Sequence, residues 1–305
     1  MAKTIGVTVT ERIQAGLVVD HKIVGDLHIF PEDHEETDAL VELHADALVT
    51  TICDQISAAA KGATDIQAVG VGLPGLVRAG VVEEAPNLPQ LKGARFQELI
   101  TNELASRGIN AQVTIVNDAD GCAAGLASVH GKLDAMIRVW TLGTGIGYGR
   151  YPFSHGVWEG GHSVVTLDDK ESFCGCGGRG HMEGIMGHRA MRLRFLDMEP
   201  EEVFEAARID PVTGQCGDLR CFEFKKLWHK ALAAATSTSI HMAGTGKFFL
   251  TGFNVRFLDL PMLKDYLQQM VKMSPLQSYS VEIVPDDAHT RVIGAAVSAE
   301  QAAGL

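Results

Sequence analysis

The feature that most restricts how this chain can fold is a dense group of metal-ligating residue types between positions 159 and 183. Four of them carry good zinc ligands: His162, Cys174, Cys176 and His181. Zinc prefers tetrahedral sulfur and imidazole ligands, and this set fills all four positions without leaving one for an activated water. We therefore expect a structural Zn²⁺ that also holds the nearby Glu159 and Glu183. A glycine-rich turn with two ordinary cysteines is the alternative.

Length and composition favour a two-lobed α/β protein. The chain has 305 residues, 46% of them hydrophobic, with 33 glycines and 6% aromatic residues. A chain of this length exceeds the size at which a single core keeps growing. Abundant glycine with few aromatics suits an α/β protein with many tight turns.

Charge and hydropathy exclude several classes of partner. The net charge of −12 argues against nucleic acid, because phosphate binding relies on clustered lysine and arginine. No stretch approaches about 18 uninterrupted apolar residues, so we expect no membrane span. The first residues begin a strand-like run instead of a signal peptide. Together with six cysteines suited to a reducing compartment, this predicts a cytoplasmic protein.

The hydrophobic pattern alternates between strand and helix periods along the chain. Strands are predicted at residues 3–9, 14–20, 21–29, 68–71, 113–116, 135–142 and 247–251. Helices are predicted at residues 37–61, 96–107, 119–130, 184–197, 200–208, 222–242 and 291–303. This alternation favours a mainly parallel sheet with crossover helices. In such sheets, ligands bind at the carboxyl ends of the strands.

Asn117 and Asp118 stand where a predicted strand gives way to a helix. A carboxylate at such a position can accept the proton of a sugar hydroxyl as that oxygen attacks an electrophile, and the neighbouring amide can orient the hydroxyl. Asp118 is therefore a candidate general base. Helix N-capping is the alternative, because asparagine and aspartate are favoured caps.

A glycine loop, Gly143-Thr-Gly-Ile-Gly-Tyr-Gly149, follows the strand at 135–142. Its backbone N–H groups can form an anion-binding nest for a nucleotide phosphate. A tight hairpin uses glycines equally well. The spacing differs from the dinucleotide-binding fingerprint, and no Walker A sequence occurs, so phosphate chemistry here requires a different architecture.

Several motifs, in order and spacing, resemble those of the ROK family, which comprises bacterial sugar kinases and sugar-responsive repressors. The most specific is Cys174-x-Cys-Gly-x-x-Gly-His181-x-Glu183, where His181 replaces the third cysteine that the family more usually has. Histidine can replace thiolate on zinc, so the site is expected to be kept. The other matching motifs are Gly72-Leu-Pro-Gly75, Ala85-Pro-Asn-Leu-Pro89, Val116-Asn-Asp-Ala119, Gly143-Thr-Gly-Ile-Gly147, Glu159-Gly-Gly-His162 and Val292-Ile-Gly-Ala-Ala296.

The resemblance implies an α/β protein with the actin-like ATPase (ribonuclease H-like) fold, two lobes around a central cleft. The expected N-terminal lobe spans residues 1–117 and is completed by the C-terminal helix 291–305. The expected C-terminal lobe spans residues 118–290 and contains the zinc site. Family members are commonly dimers or tetramers, so a homodimer or homotetramer is expected.

The resemblance also implies the ATP-dependent phosphorylation of a hexose, as in glucokinases, with Asp118 as general base. The residues that it assigns to the sugar are Gly72, Asn117, Asp118, Glu159, His162 and Glu183. Those that it assigns to ATP are Gly143, Thr144, Gly145 and Gly252, with Mg²⁺ neutralising the phosphates. The expected enzyme is thus a carbohydrate kinase.

The chain departs from the family in its first turn and in a later loop. ROK kinases carry Asp-x-Gly-Gly-Thr after the first strand, whereas here Thr8 replaces the acid and Glu11 and Arg12 fill the turn. In the later loop, Phe253 replaces a small residue and can stack on a base. A sugar-binding pseudokinase or sensor that has lost ATP-dependent catalysis is therefore the main alternative. A different phosphoryl donor, with Arg12 as the anion ligand, is another.

Overall fold

The computed structural model describes residues 2–33, 35–36, 38–63, 65–153, 156, 159–210 and 212–305. In chain order, its strands are β1 (Lys3–Val9), β2 (Ile13–Val19), β3 (Lys22–Phe30), β4 (Ala68–Leu73), β5 (Leu76–Arg78), β6 (Val81–Glu84), β7 (Gln112–Asn117), β8 (Ile137–Leu142), β9 (Ile146–Tyr151), β10 (Lys247–Thr251) and β11 (Ser280–Ile283). Its helices are α1 (Ala45–Ala60), α2 (Phe96–Ser106), α3 (Asp118–Val129), α4 (Met182–Met186), α5 (His188–Arg194), α6 (Pro200–Ala206), α7 (Leu219–Ala243), α8 (Leu260–Met270) and α9 (Ala288–Ala303).

The chain divides into two compact units. Unit 1 comprises Met1–Arg138, Gly149–Trp158 and Asp287–Leu305, and unit 2 comprises Val139–Tyr148 and Glu159–Asp286. The sequence-based boundary between residues 117 and 118 falls inside unit 1 of this division. The reason is that α3 packs tightly against α9: a methyl group added at Gly125 of α3 would lie 2.0 Å from the carbonyl oxygen of Thr290.

Unit 1 is built on a five-stranded sheet with the order β3-β2-β1-β4-β7. Strands β1, β4 and β7 are parallel, and their carboxyl ends lie at one edge of the sheet. Strands β2 and β3 are antiparallel to their neighbours, as expected for a chain that enters through a meander. The predicted parallel arrangement therefore holds for three of the five strands. The hairpin of β5 and β6 follows β4.

A row of glycines crosses three neighbouring strands of this sheet. Gly6 is paired with Gly16 on one side and with Gly70 on the other. A methyl group at Gly6 would lie 1.8 Å from the carbonyl oxygen of Val292, and one at Gly70 would lie 1.8 Å from that of Ala295. Because successive residues of a strand face opposite sides, these glycines form a groove on one face for α9. Helices α1 and α2 share the apolar core with the alternate residues of the strands.

Helix α1 begins later than predicted. The sequence pattern predicts a helix from residue 37, which lies outside the described residues, but α1 starts at Ala45. The carbonyl of Leu40 accepts a hydrogen bond of 2.8 Å from the Gln90 side chain, and the backbone N–H of Val41 donates to Asp38 in a turn. This turn buries Leu40. Its position in the sequence therefore continues the apolar spacing of α1, although Leu40 is not part of the helix.

Unit 2 contains a four-stranded sheet with the order β11-β10-β8-β9, in which β10 and β11 are parallel. Its core is rich in aromatic residues, including the fully buried Trp140, Trp228 and Phe248. Trp140 donates a hydrogen bond of 3.1 Å to the Thr236 hydroxyl on α7, which satisfies the buried indole. Among the described residues, we find no helix that is long and apolar enough to span a membrane.

A buried histidine fixes the segment that follows β10. His229 on α7 is fully buried; its Nδ1 donates to the carbonyl of Lys225 at 2.7 Å, and its Nε2 accepts the backbone N–H of Asp259 at 2.8 Å. Asp259 caps α8 and pairs with the Lys225 ammonium at 2.8 Å. Burial lowers the pKa of His229 to about 4, so the imidazole is neutral at pH 7.

The predicted helix at 184–197 is two short helices. Helix α4 ends at Met186 and α5 begins at His188, because Gly187 has an extended backbone with ψ of 138°. A methyl group at Gly187 would lie 2.9 Å from the carbonyl oxygen of Glu183 and 3.0 Å from that of Thr144. The break therefore lets the chain approach the glycine loop closely.

Candidate functional site

Two segments of unit 2 bring the predicted metal ligands together. His162 ends a 3-10 helix at Gly160–His162, and His181 is the N-cap residue of α4. The segments are joined by backbone hydrogen bonds of 2.8 and 3.0 Å between residues 163–165 and 180–182. Gly178 makes room for the ring, since a methyl group there would lie 2.0 Å from Cε1 of His181. The loop thus holds both histidines next to the cysteines.

The distances within this cluster suit a bound cation. One ligand atom from each of His162, Cys174 and Cys176 lies within 4.8 Å of the other two. The two sulfurs are 3.4 Å apart without a disulfide bond, and Nδ1 of His181 is 3.3 Å from Sγ of Cys176. The rings of the two histidines stack with centroids 5.3 Å apart. The group whose ligand atoms all lie within 4.8 Å of one another contains two sulfurs and one imidazole, and His181, beside Cys176, is the predicted fourth ligand of a tetrahedral divalent ion.

Burial shifts the pKa values of two of these groups in opposite directions. Burial, together with the neighbouring Cys176 and Glu183, raises the pKa of Cys174 to about 12. Burial and the nearby His162 lower the pKa of His181, which favours the neutral imidazole that a metal requires. A thiolate at Cys174 therefore needs a cation beside it. We call His162, Cys174, Cys176 and His181 the metal cluster.

Glu183 connects the metal cluster to the glycine loop. Its Oε1 lies 3.6 Å from Nε2 of His162, and the Cys174 thiol donates to the same oxygen at 3.7 Å. Its Oε2 accepts the backbone N–H of Ile146 at 3.0 Å. The sequence singled out Glu183 for sugar binding, and nothing in the pattern indicated this second contact.

The glycine loop is the turn of a hairpin between β8 and β9. The backbone N–H of Gly143 donates to the carbonyl of Gly145 at 3.0 Å, which closes the turn. The N–H of Ile146 donates to Glu183, and that of Gly147 donates to the Thr141 hydroxyl at 3.1 Å. The hairpin interpretation is therefore confirmed, and three of the amides considered for an anion nest, those of Gly143, Ile146 and Gly147, already have protein acceptors.

The carbonyl side of the same loop is held by residues from two other segments. The carbonyl of Gly143 accepts the backbone N–H of His188 at 3.0 Å and the side-chain N–H of Asn254 at 2.9 Å. Gly252 has a φ of +95°, and its close approach to the carbonyl of Leu142 excludes a side chain. The half-exposed ring of Phe253 lies against Gly143 and makes an edge contact with His188.

Gly72, Asn117 and Asp118 meet at the carboxyl edge of the parallel strands in unit 1. Asn117 is the N-cap of α3: its side-chain oxygen accepts the N–H of Ala119 at 2.9 Å, and its side-chain N–H donates to the carbonyl of Gly75 at 3.0 Å. The capping interpretation is thus confirmed for Asn117, and Oδ1 of Asp118 accepts the same Ala119 N–H at 3.0 Å. A methyl group at Gly72 would lie 3.8 Å from the Asp118 Cα, so both residues share this edge.

Asp120 is an acidic residue that the sequence analysis missed. It is buried in the first turn of α3, and its Oδ1 accepts the backbone N–H of Arg150 at 2.9 Å. Burial, with a smaller contribution from Asp118, raises the pKa of Asp120 to about 6. The sequence places Asp120 near the same helix end as Asp118, but nothing in the local pattern indicates that it is buried.

The β1–β2 turn differs from a phosphate-binding loop in its contacts as well as its sequence. The buried Thr8 donates its hydroxyl hydrogen to Oε1 of Gln14 at 3.2 Å. The Arg12 guanidinium donates to the carbonyls of Pro31 at 2.8 Å and Glu32 at 2.7 Å. These contacts occupy Arg12 and do not favour the prediction that it binds an anion.

The predicted site residues are divided between the two units. Gly72, Asn117 and Asp118 belong to unit 1. The others belong to unit 2: Gly143, Thr144, Gly145, Glu159, His162, Cys174, Cys176, His181, Glu183 and Gly252. Within unit 2, the carbonyl of Glu159 accepts the backbone N–H of His162 at 3.0 Å, so the Glu-Gly-Gly-His motif is one compact turn.

Comparison with known proteins identifies the class to which this fold and these motifs belong. The sequence profile of the ROK family matches residues 22–301. The chain therefore belongs to the ROK family. The match begins after the β1–β2 turn, where the sequence analysis found its first departure.

Individual relatives agree with this assignment. A glucokinase from Pyrobaculum calidifontis is 30% identical over 191 residues, which are 57% of this chain and 58% of that protein. The chain thus matches less than two thirds of the length of this curated relative.

Solved structures resemble the fold over nearly the whole chain. The ROK hexokinase from Thermus thermophilus has a TM-score of 0.77 at 18% identity, with 98% of both chains covered. The ROK family glucokinase from Streptomyces griseus, solved with glucose and AMPPNP, has a TM-score of 0.66 at 21% identity and covers 98% of this chain and 100% of that one. At these identities the likeness shows the fold alone, and the predicted actin-like ATPase fold is confirmed.

Proposed function

We propose that this protein is a ROK-type sugar kinase that transfers the γ-phosphoryl group of ATP to a hydroxyl group of a hexose. The observation that carries the proposal is the family match over residues 22–301, which includes the Glu159–His162 and Cys174–Glu183 motifs. The folding of both motifs into one cluster within unit 2 supports it further. Phosphoryl transfer requires positioning and charge neutralisation more than covalent chemistry by the protein.

Asp118 is the proposed general base. It is the first residue of α3, directly after the carboxyl end of β7, where open α/β sheets place catalytic groups. A carboxylate there takes the proton of the sugar hydroxyl as the oxygen attacks phosphorus. Asn117 cannot take this role because an amide is not a base, and its two hydrogen bonds to Ala119 and Gly75 suit it to positioning.

The remaining proposed sugar-binding residues offer both hydrogen-bond donors and hydrogen-bond acceptors. They are Gly72 and Asn117 in unit 1 and Glu159, His162 and Glu183 in unit 2. His162, Cys174, Cys176 and His181 would hold a Zn²⁺ ion, which would fix the geometry of the site and take no part in the chemistry. With one nitrogen of His162 on the metal, the tautomer of its ring and the direction of its other nitrogen would be set.

Gly143, Thr144, Gly145 and Gly252 are the proposed contacts for ATP, whose phosphates Mg²⁺ neutralises. At the hairpin turn, Gly145 packs against Glu183, and a methyl group there would lie 2.6 Å from Oε2 of Glu183, so this position has no room for a side chain. The ring of Phe253, half-exposed beside Gly143, offers an apolar surface for a base.

The test is hexose-dependent release of ADP from MgATP, measured for glucose, fructose, mannose and N-acetylated hexosamines in a coupled assay. We expect Asp118→Asn to lower kcat by about 10²- to 10⁴-fold, the usual contribution of a general base. The hexose Kd of that variant, measured by calorimetry, should change by less than about tenfold. Loss of sugar binding in parallel with loss of rate would mean that Asp118 mainly binds sugar.

A sugar sensor without kinase activity is the second candidate, and the β1–β2 turn favours it. Thr8 is bonded to Gln14 and carries no charge for magnesium, while Glu11 adds a negative charge where a phosphate would approach. Binding of a hexose without any hexose-dependent ADP release under saturating MgATP would select this candidate over the kinase.

A further inference from the structure

Glu183 serves two neighbours with its two carboxylate oxygens. Oε1 faces the metal cluster, 3.6 Å from Nε2 of His162 and 3.7 Å from Sγ of Cys174. Oε2 accepts the backbone N–H of Ile146, the residue that follows the Gly143–Gly145 turn. Any movement of this carboxylate toward or away from the metal cluster therefore changes a hydrogen bond in the glycine loop.

Helix α4 makes a second connection between the same two features. At its start, His181 is the N-cap residue, and Gly184 packs so closely on the Cys174 backbone that a methyl group would lie 2.8 Å from the Cys174 nitrogen. Beyond its end, the backbone N–H of His188 donates to the carbonyl of Gly143 at 3.0 Å. The helix is about one and a half turns long, and His188, the first residue of α5, is joined to it through the single extended residue Gly187.

The glycine loop also has little freedom to adjust independently. Its turn is closed by the bond from Gly143 to Gly145, and the Gly143 carbonyl is held by Asn254 at 2.9 Å. Asn254 is fully buried. A packed element of this kind changes between discrete arrangements instead of deforming continuously.

We propose that metal binding by the cluster and anion binding by the glycine loop are thermodynamically coupled, with Glu183 and helix α4 as the connection. An ion that orders Cys174 and His162 orders Glu183, which in turn fixes the Ile146 amide and the loop that carries Thr144 and Gly145. Loading with Zn²⁺ then tightens anion binding, and by linkage the anion tightens the binding of Zn²⁺ by the same factor. Glu183 is a positioning residue in this coupling.

Hydrogen exchange of the Ile146 amide tests the coupling directly. The full-length protein, stripped of metal by a chelator and dialysed, is compared with and without stoichiometric Zn²⁺. We expect Zn²⁺ to slow exchange of this amide at least about fivefold, the lower end of typical couplings. In Glu183→Ala the effect of Zn²⁺ on this amide should fall below about twofold, while residues 172–182 still become protected.

Asp169→Asn is the matched control, because this carboxylate lies in the same loop but points to solvent and pairs with Arg179. It should keep the full response. The proposal would be overturned if Zn²⁺ left the exchange rate of the Ile146 amide unchanged in wild type, or if Zn²⁺ still slowed that exchange about fivefold in Glu183→Ala.

Calorimetry with MgADP gives the reciprocal measurement and does not need a variant. Zn²⁺ should lower the Kd of MgADP about 5- to 150-fold, and MgADP should lower the Kd of Zn²⁺ by an equal factor. This step rests on the proposed use of a nucleotide, whereas the exchange experiment does not. If Zn²⁺ protects the Ile146 amide but no MgADP binds, the connection from the metal cluster to the loop stands, whereas the coupling to nucleotide binding and the kinase function are both overturned. If Glu183→Ala does not fold, the effect of Zn²⁺ on exchange of the Ile146 amide in wild type tests the proposal by itself.

Discussion

Asp120→Asn should stabilise the protein at neutral pH and have almost no effect near pH 4. The folded-state pKa of Asp120 is raised from 3.8 to about 6 by burial. A raised pKa means that the folded state holds the proton more tightly, so the associated stability is complete below pH 4 and is lost as pH rises through 6. The shift of about 2 pKa units corresponds to about 3 kcal/mol at pH 7 and above.

Asparagine removes this cost because it carries no charge and its side-chain oxygen can still accept the Arg150 N–H. The assay is urea unfolding of both proteins at pH 4, 5, 6 and 7.5. The difference in unfolding free energy should grow by up to about 1.4 kcal/mol per pH unit between pH 4 and 6 and then level off. A difference that is constant across this range, or a variant less stable at pH 7.5, would refute the conclusion that burial raises the pKa of Asp120.

Three further predictions concern unit 2 and the packing of α3. Because the pKa of His229 is lowered to about 4, the unfolding free energy of wild type should fall by about 3 kcal/mol as pH falls from 6.5 to 4. His229→Gln should remove this pH dependence, which urea unfolding can measure. Cys176→Ser should lower the bound zinc measured by atomic emission, and an unchanged zinc content would remove Cys176 from the ligand set. Gly125→Ala should destabilise by at least about 2 kcal/mol because its methyl group would lie 2.0 Å from a backbone oxygen, whereas Gly121→Ala on the same helix, with 3.7 Å of space, should be neutral or stabilising in thermal unfolding.

The parts of the fold that the sequence predicted are those in which local pattern and tertiary environment agree. Strand β1 has the predicted bounds, because its alternate residues face two different buried surfaces. The start of α3 was predicted to within one residue, since Asn117 has both the strand before it and the capping chemistry that a helix requires. Residue types alone predicted a group of metal ligands, and the structure brings ligand atoms of three of them, His162, Cys174 and Cys176, within 4.8 Å of one another. That these residues bind zinc stays a prediction.

The missed features depend on contacts between distant segments. The turn before α1 is stabilised by the Gln90 side chain, which lies fifty residues further along the chain. The break at Gly187 follows from its approach to Thr144, and the double role of Glu183 follows from its approach to Ile146. Asp120 looks like a solvated helix residue in the sequence, and only the fold shows that β9 covers it. No local periodicity contains this information.

The glycine groove that receives α9 has a consequence for synthesis of the chain. The three strands that form the groove are made within the first 73 residues, but α9 spans Ala288–Ala303 and is made after all of unit 2. At about 5 to 20 residues per second, the groove stays without its helix for on the order of ten seconds or more on the ribosome. During this interval, unit 2 can complete its own core while the sheet of unit 1 still lacks α9. Unit 1 is therefore begun first and completed last.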